Sequence, residues 1–374
     1  MKYFIIAGEA SGDLHAANLM RELKLKDAKA EFCFLGGDLM QAQGGTLIRH
    51  YRQMAFMGIV PVLLNYRTIM QIMESCKTAL LQFQPDLLIL VDYPGFNLRM
   101  AKFAKENLQC QVHYYIPPKI WVWKEHRIKQ IKKYIDKVFT IFPFETAFYA
   151  KHNYKSDYVG NPSVDSVFLR PNQNQTLDEF CKKNQLPNRP IIALLSGSRK
   201  QEISKCLPKM IAAASKLTDY QIIIAGAPGI DPQFYHSFIQ TQKVSIVFDQ
   251  TYDLVQQASA AVVNSGTATL ETALLGTPQV VVYHVAFPRF SYTFQGLVMK
   301  VNFFSLVNLI ATKEVVKELL FHFFTVENVA KELEQLLHNK EYRLKMVNEY
   351  AKIKNILGEP NTAKHAAEKM IACL

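Results

Sequence analysis

The sequence predicts an α/β protein built from two doubly wound, mostly parallel sheets. Three observations carry this. Short runs that are apolar along nearly their whole length recur through the chain, as strands covered on both faces of a parallel sheet should be. Amphipathic stretches such as 201–217 and 267–275 lie between most of them, giving repeated βα units. The segment 170–190 breaks the pattern with Pro171-Asn172-Gln173-Asn174-Gln175 and Pro187-Asn188-Arg189-Pro190, which reads as a boundary between two Rossmann-like halves.

In order, the first half holds expected strands at 3–7, 31–35, 87–91, 112–116 and 138–141. The second half holds them at 191–195, 221–225, 245–248, 260–263 and 279–282. After residue 326 the pattern is helical, with Val329, Leu333, Leu336 and Leu337 at helical spacing and a last helix near 362–371. The expected organisation is a first domain over 1–165, a linker over 166–189, a second domain over 190–345 and C-terminal helices over 346–374.

The 374 residues suffice for two ordinary domains. With 49% hydrophobic and 20% charged residues, 16 Gly and 16 Pro, collagen-like, low-complexity and disordered chains are excluded. Lys and Arg number 43 against 32 Asp and Glu, and the resulting +11 points to a polyanionic partner: nucleic acid, a phosphorylated substrate or an anionic membrane surface. The uncharged runs 53–66 and 272–288 are too short to span a bilayer, and Met1-Lys2-Tyr3 leads directly into a strand, so no signal peptide is read. The six cysteines are scattered, as in a reduced, cytoplasmic protein.

In open α/β sheets ligands bind beyond the carboxyl ends of the strands, so the loops that follow strands matter most. Ala7-Gly8-Glu9-Ala10-Ser11-Gly12-Asp13 follows the first strand. It suits close approach of a ligand to backbone, and equally a tight turn with Asp13 as a cap. In Val91-Asp92-Tyr93-Pro94-Gly95-Phe96-Asn97, Asp92 stands at a strand end. There it can serve as a general base or cap the helix that begins near Asn97. Ser196-Gly197-Ser198-Arg199-Lys200 reads as a phosphate cradle or a solvated turn. Asn264-Ser265-Gly266-Thr267-Ala268-Thr269-Leu270-Glu271 opens a helix toward an anion, with Glu271 one turn on where a carboxylate can hold ribose hydroxyls; Ser265 and Thr267 also suit plain capping.

Between 119 and 137 stand seven basic residues and two acidic ones, with Ile128, Ile131 and Ile135 at helical spacing and Trp121 and Trp123 just ahead. This suits a helix on a membrane surface or against phosphate, and equally a solvated face. The stretch 54–73 is apolar and rich in methionine (Met54, Met57, Met70, Met73), which suits a core or a surface for acyl chains. An Asp-x-Asp pair, a Walker A loop, a metal-spaced Cys/His cluster, a Gly-x-Ser-x-Gly elbow and nucleic-acid-binding signatures are absent from the sequence.

In their order these motifs resemble the lipid-A-disaccharide synthase family, glycosyltransferase family 19. The resemblance runs along nearly the whole chain. Besides the four loops it rests on Met57-Gly58-Ile59-Val60, Ile120-Trp121-Val122-Trp123, Arg127-Ile128-Lys129, Pro143-Phe144-Glu145, Val159-Gly160-Asn161-Pro162 and Ser305-Leu306-Val307-Asn308-Leu309-Ile310. It implies a GT-B fold, two Rossmann-like domains facing a cleft with C-terminal helices crossing back onto the first. It implies transfer of 2,3-diacylglucosamine from UDP to the 6-hydroxyl of 2,3-diacylglucosamine 1-phosphate, with inversion to a β-1,6 link and release of UDP. No metal and no cofactor is expected.

On that resemblance Asp92 is the general base, with Glu9 and Ser11 as further catalytic candidates. Gly197, Ser198, Arg199, Ser265, Gly266, Thr267, Ala268, Thr269 and Asn308 hold the UDP-sugar, and Glu271 holds the ribose. The acylated, phosphorylated substrates imply a peripheral enzyme on the cytoplasmic face of the inner membrane. Met57, Trp121, Trp123, Arg127, Lys129, Lys132 and Lys133 are expected on the membrane and acceptor surface, nucleic acid is not a partner, and an oligomer is compatible with the sequence. The chain departs from the family pattern at Gly95, where many relatives carry Asp, and at His15, Val307 and Thr312-Lys313. Two rivals are a UDP-N-acetylglucosamine 2-epimerase on the same fold and a non-enzymatic binder of nucleic acid or anionic lipid. The first needs no acyl surface and the second rests on charge alone.

Overall fold

The structure is a computed structural model that describes residues 1–54, 66–122, 124–239, 244–284 and 303–374. Its contacts divide the chain into one unit of Met1–Pro162 with Pro360–Leu374 and a second of Ser163–Glu359.

The first unit holds seven strands: β1 (Lys2–Ala7), β2 (Glu31–Gly36), β3 (Thr46–His50), β4 (Leu87–Val91), β5 (Gln111–Tyr115), β6 (Lys137–Thr140) and β7 (Asp157–Tyr158). All pair in parallel, in the order β3-β2-β1-β4-β5-β6-β7. Strand β1 is buried from Tyr3 to Ala7, and its side chains alternate between two cores. Phe4 and Ile6 enter one; Tyr3, Ile5 and Ala7 enter the other. The last helix, Thr362–Ile371, packs on the first, Ala10–Lys26, and places Ala366, Ala367 and Met370 in the second core. Two strands escape the sequence pattern because they are edges: β3 carries half-buried Arg49 and His50, and β7 is two residues long.

The second unit repeats the plan with six parallel strands: β8 (Ile191–Leu195), β9 (Gln221–Gly226), β10 (Val244–Phe248), β11 (Ala258–Asn264), β12 (Gln279–Tyr283) and β13 (Lys317–Leu320). Their order is β10-β9-β8-β11-β12-β13. Counted within each unit, both sheets contain the strand order 3-2-1-4-5-6, which reverses between the first strand and the fourth.

The segment 166–189 is not a free linker. Thr176 and Glu179 form a capping box on the helix Leu177–Lys183, and that helix sinks Phe180 and Cys181 into the core of the second unit. The return to the first unit falls at Pro360 rather than at 346, since the helix Lys340–Leu357 belongs to the second unit. Among the described residues no helix is long and apolar enough to cross a membrane.

Candidate active site

In the first unit the sheet reverses between β1 and β4, and Ala7 pairs with Val91, so the loops opening at Gly8 and Asp92 are neighbours. The ring of Tyr93 lies over Gly8, where any Cβ would fall 2.4 Å from the ring carbons; only glycine fits. Glu9 begins the first helix with Ser11 exposed in its first turn, and the Glu9 charge helps to raise the Tyr93 hydroxyl. Asp13 caps neither turn nor its own helix. Buried, it accepts the amides of Gly37 (2.7 Å), Leu39 (3.1 Å) and Met40 (3.1 Å), tying the loop after β2 to the first helix.

Asp92 and Tyr93 both have left-handed backbone, with φ of 44° and 47°, and Ile116 across the sheet has φ of 58°. For a β-branched residue this is strained; such residues persist where surrounding contacts over-determine them, at about 1–3 kcal/mol each. Here the contacts are explicit. The Asp92 amide donates to the Ile116 carbonyl at 3.2 Å, and its carbonyl accepts Tyr114 Oη and Asn97 Nδ2, both at 2.7 Å. The capping alternative for Asp92 therefore fails: Tyr93 is the N-cap of the helix Pro94–Asn107, which has no side-chain cap.

The Asp92 side chain borders a cavity of about 280 Å³ together with Lys119, Lys124, Arg127 and Glu145. Burial raises the Asp92 carboxyl above its ordinary range, against the pull of Lys119. Glu145, which sequence analysis placed in a motif but gave no role, is 1% exposed. It accepts Trp121 Nε1 (3.0 Å), Phe142 N (3.1 Å) and Ile141 N (3.3 Å), yet burial still pushes it up to about 7.

Several expected membrane-facing groups lie elsewhere. Ile128, Ile131 and Ile135 are buried in the core of the first unit, as are Met54 and Met73, and Met70 packs against it. An apolar helix face reads the same whether it meets lipid or its own sheet. The Trp121 indole is half-buried, spent on Glu145 and edge-on to Phe144. Lys129, Lys132 and Lys133 are exposed on the helix Ile128–Tyr134, with Lys132 Nζ donating to the His152 carbonyl at 2.9 Å. Met57 and Trp123 lie outside the described residues.

In the second unit the sheet reverses between β8 and β11, and there a cavity of about 750 Å³ opens. Of the residues expected to hold a UDP-sugar, Gly197, Ser198, Arg199, Ser265, Gly266, Thr267, Ala268 and Glu271 line it. Gly197 has φ of 111°, and a Cβ there would meet Glu202 Oε2 at 2.6 Å. Glu202 fixes the loop by accepting Ser198 N (3.1 Å) and Arg199 Nη1 (3.3 Å). At 64% exposure the Arg199 pair adds little stability, so this cation is available to a ligand. Gly266, not Ser265, is the N-cap of the helix Thr267–Leu274, and it offers no side-chain acceptor to the amides of the first turn. Those N–H groups and the positive helix end suit an anion. The buried Ser196 Oγ, also on the wall, has no partner among the described residues.

Burial raises Glu271, against hydrogen bonds from Tyr252 and Ser163. Sequence analysis missed Tyr252 and Arg170, which line the same cavity from segments without a motif. Two expected residues do not line it. Thr269 is buried and donates to the Gly266 carbonyl at 2.8 Å. Asn308, also buried, donates to Val316 O and Glu318 Oε1 (both 2.9 Å) and accepts Val315 N (2.8 Å) and Val316 N (3.0 Å). This spends its whole hydrogen-bonding capacity inside the protein. Among the described residues no cluster of three or more His, Cys, Asp or Glu is placed to hold a metal.

Two doubly wound sheets, the second with a cavity at its switch point and the first with one beyond the ends of β4, β5 and β6, define the GT-B architecture. Solved structures agree on the fold. The UDP-GlcNAc 2-epimerase from Neisseria meningitidis bound to UDP-GlcNAc superposes with a TM-score of 0.69 at 15% identity, covering 100% of both chains. CalG4, the calicheamicin glycosyltransferase, gives 0.59 at 14% identity, over 99% of this chain and 97% of its own. The sequence is more specific: the profile of the lipid-A-disaccharide synthetase family matches residues 3–372, and this chain belongs to that family. The lipid-A-disaccharide synthase of Myxococcus xanthus is 37% identical over 100% of this chain and 97% of its own length, and that of Syntrophus aciditrophicus 36% over 97% and 95%. The chain is thus an enzyme, a glycosyltransferase of lipid A disaccharide synthesis.

Proposed function

We propose that the enzyme moves 2,3-diacylglucosamine from UDP to the 6-hydroxyl of 2,3-diacylglucosamine 1-phosphate, inverting the donor carbon and releasing UDP. The observation that carries this is the clamped, half-buried Asp92 at the switch point of the first sheet. Its raised carboxyl suits a base that takes the proton of the attacking hydroxyl, since a base works best with a pKa brought toward the working pH. Glu9 and Ser11, at the start of the first helix, are further catalytic candidates.

The leaving diphosphate is held in this account by the second unit. The amides at Gly266–Ala268, the loop at Gly197–Ser198 and the Arg199 guanidinium offset its growing charge, and Glu271 accepts ribose hydroxyls. Losing one such contact removes about 2.7–4 kcal/mol of transition-state stabilisation. Neither a metal nor a cofactor is needed. The exposed Lys129 and Lys133 suit docking on the anionic cytoplasmic leaflet, at about 1 kcal/mol for each basic residue near it.

The test is UDP release from UDP-2,3-diacylglucosamine in detergent with EDTA, with the product linkage read by NMR. Release that depends on the 1-phosphate acceptor and gives a β-1,6 disaccharide is expected. Conversion of non-acylated UDP-N-acetylglucosamine to its 2-epimer instead would point to the rival chemistry.

A further inference from the structure

We infer that the cavity beside Asp92 binds a phosphomonoester, which on the function proposed above is the 1-phosphate of the acceptor. Lys119, Lys124 and Arg127 line one cavity of about 280 Å³, whereas Lys129, Lys132 and Lys133 stand exposed on the following helix and do not line it. The basic run thus splits into cations that line a cavity, with Lys124 and Arg127 half-buried and Lys119 exposed at its rim, and cations that do not line it.

The backbone under the first cation is fixed. Ile116 N donates to Phe139 O at 3.1 Å, its carbonyl accepts the Asp92 amide, and buried Pro117 and Pro118 follow. Lys119 therefore leaves a rigid strand end, and its charge acts on both Asp92 and Glu145. The Glu145 oxygens accept three N–H donors, Trp121 Nε1 and the amides of Ile141 and Phe142. A phosphomonoester carries about −1.5 to −2 charge near neutrality and three acceptor oxygens, suited to an Arg fork flanked by two ammonium groups. The volume suits a sugar phosphate head without its acyl chains.

The test compares wild type with the Lys124→Gln, Arg127→Gln double variant in neutral detergent, using 2,3-diacylglucosamine 1-phosphate and phosphate-free 2,3-diacylglucosamine as acceptors. The wild type is expected to prefer the phosphorylated acceptor, and the double variant to lose that preference at least tenfold in kcat/KM, with an unchanged thermal midpoint. Arg127→Lys should keep most of it. Equal losses on both acceptors would overturn the inference. A loss seen only when phosphatidylglycerol is added to the micelles would also overturn it, in favour of membrane lipid. If the wild type transfers to neither acceptor, the reaction is wrong but the cavity is still tested. Calorimetry should then show glucosamine 1-phosphate binding at least tenfold tighter than glucosamine in wild type only, and equal binding would sink the inference.

Discussion

The Tyr114 hydroxyl donates to the main-chain carbonyl of Asp92 at 2.7 Å, across the β4–β5 pair. A fully buried phenol on one strand thereby holds the left-handed backbone of the residue that ends its neighbour. Tyr114→Phe keeps the ring and removes the donor. We expect kcat to fall about tenfold with acceptor KM within twofold, and stability to fall by about 1–2 kcal/mol. Urea unfolding and steady-state kinetics read the two separately; an unchanged kcat would show that the clamp does not position Asp92.

Lys119 opposes the burial that raises Asp92. Lys119→Met should therefore raise that carboxyl further, and a base acts only when ionised. The acidic limb of kcat/KM against pH is expected to move to higher pH. A limb that stays in place would uncouple Lys119 from the base.

Asn308→Ala strips four hydrogen bonds and leaves buried main-chain groups unpaired. The expected loss of stability is about 3 kcal/mol, with UDP affinity of the folded protein changed less than threefold. A tenfold loss of UDP affinity at an unchanged melting temperature would return Asn308 to the binding site.

His113 is buried, packs edge-on to Phe139, and is pushed down to about 4 by burial. Its folded pKa lies below the unfolded value near 6.5, so the unfolded chain takes up the proton first on acidification. Its contribution to stability is complete above that pH and is lost as pH falls toward 4. His113→Phe is expected to lose about 2 kcal/mol less than wild type between pH 7 and pH 5. Parallel losses in urea titrations at the two pH values would contradict this.

How much of this was legible in the sequence follows from what each signal requires. The central strands β1, β4, β8 and β11 announce themselves because both faces are covered and the apolar run is unbroken. Edges such as β3 and β13 do not, because half their residues are polar or exposed. The loop positions of Asp92, Arg199 and Glu271 were readable from their places after strands and at helix starts. The Tyr114 clamp was not, because it joins strands about two dozen residues apart. Asn308 looks the same in sequence whether it meets a ligand or wires a turn, and only its partners Val315, Val316 and Glu318 decide.

The most direct test is acceptor-dependent UDP release by Asp92→Asn beside wild type, in detergent with EDTA, with folding and UDP binding checked for both. Asparagine keeps the shape but cannot take the proton. The account predicts that kcat falls at least a thousandfold, on the order expected for removing a general base, while UDP still binds. Activity within tenfold of wild type would remove Asp92 as the base and contradict the account at its centre.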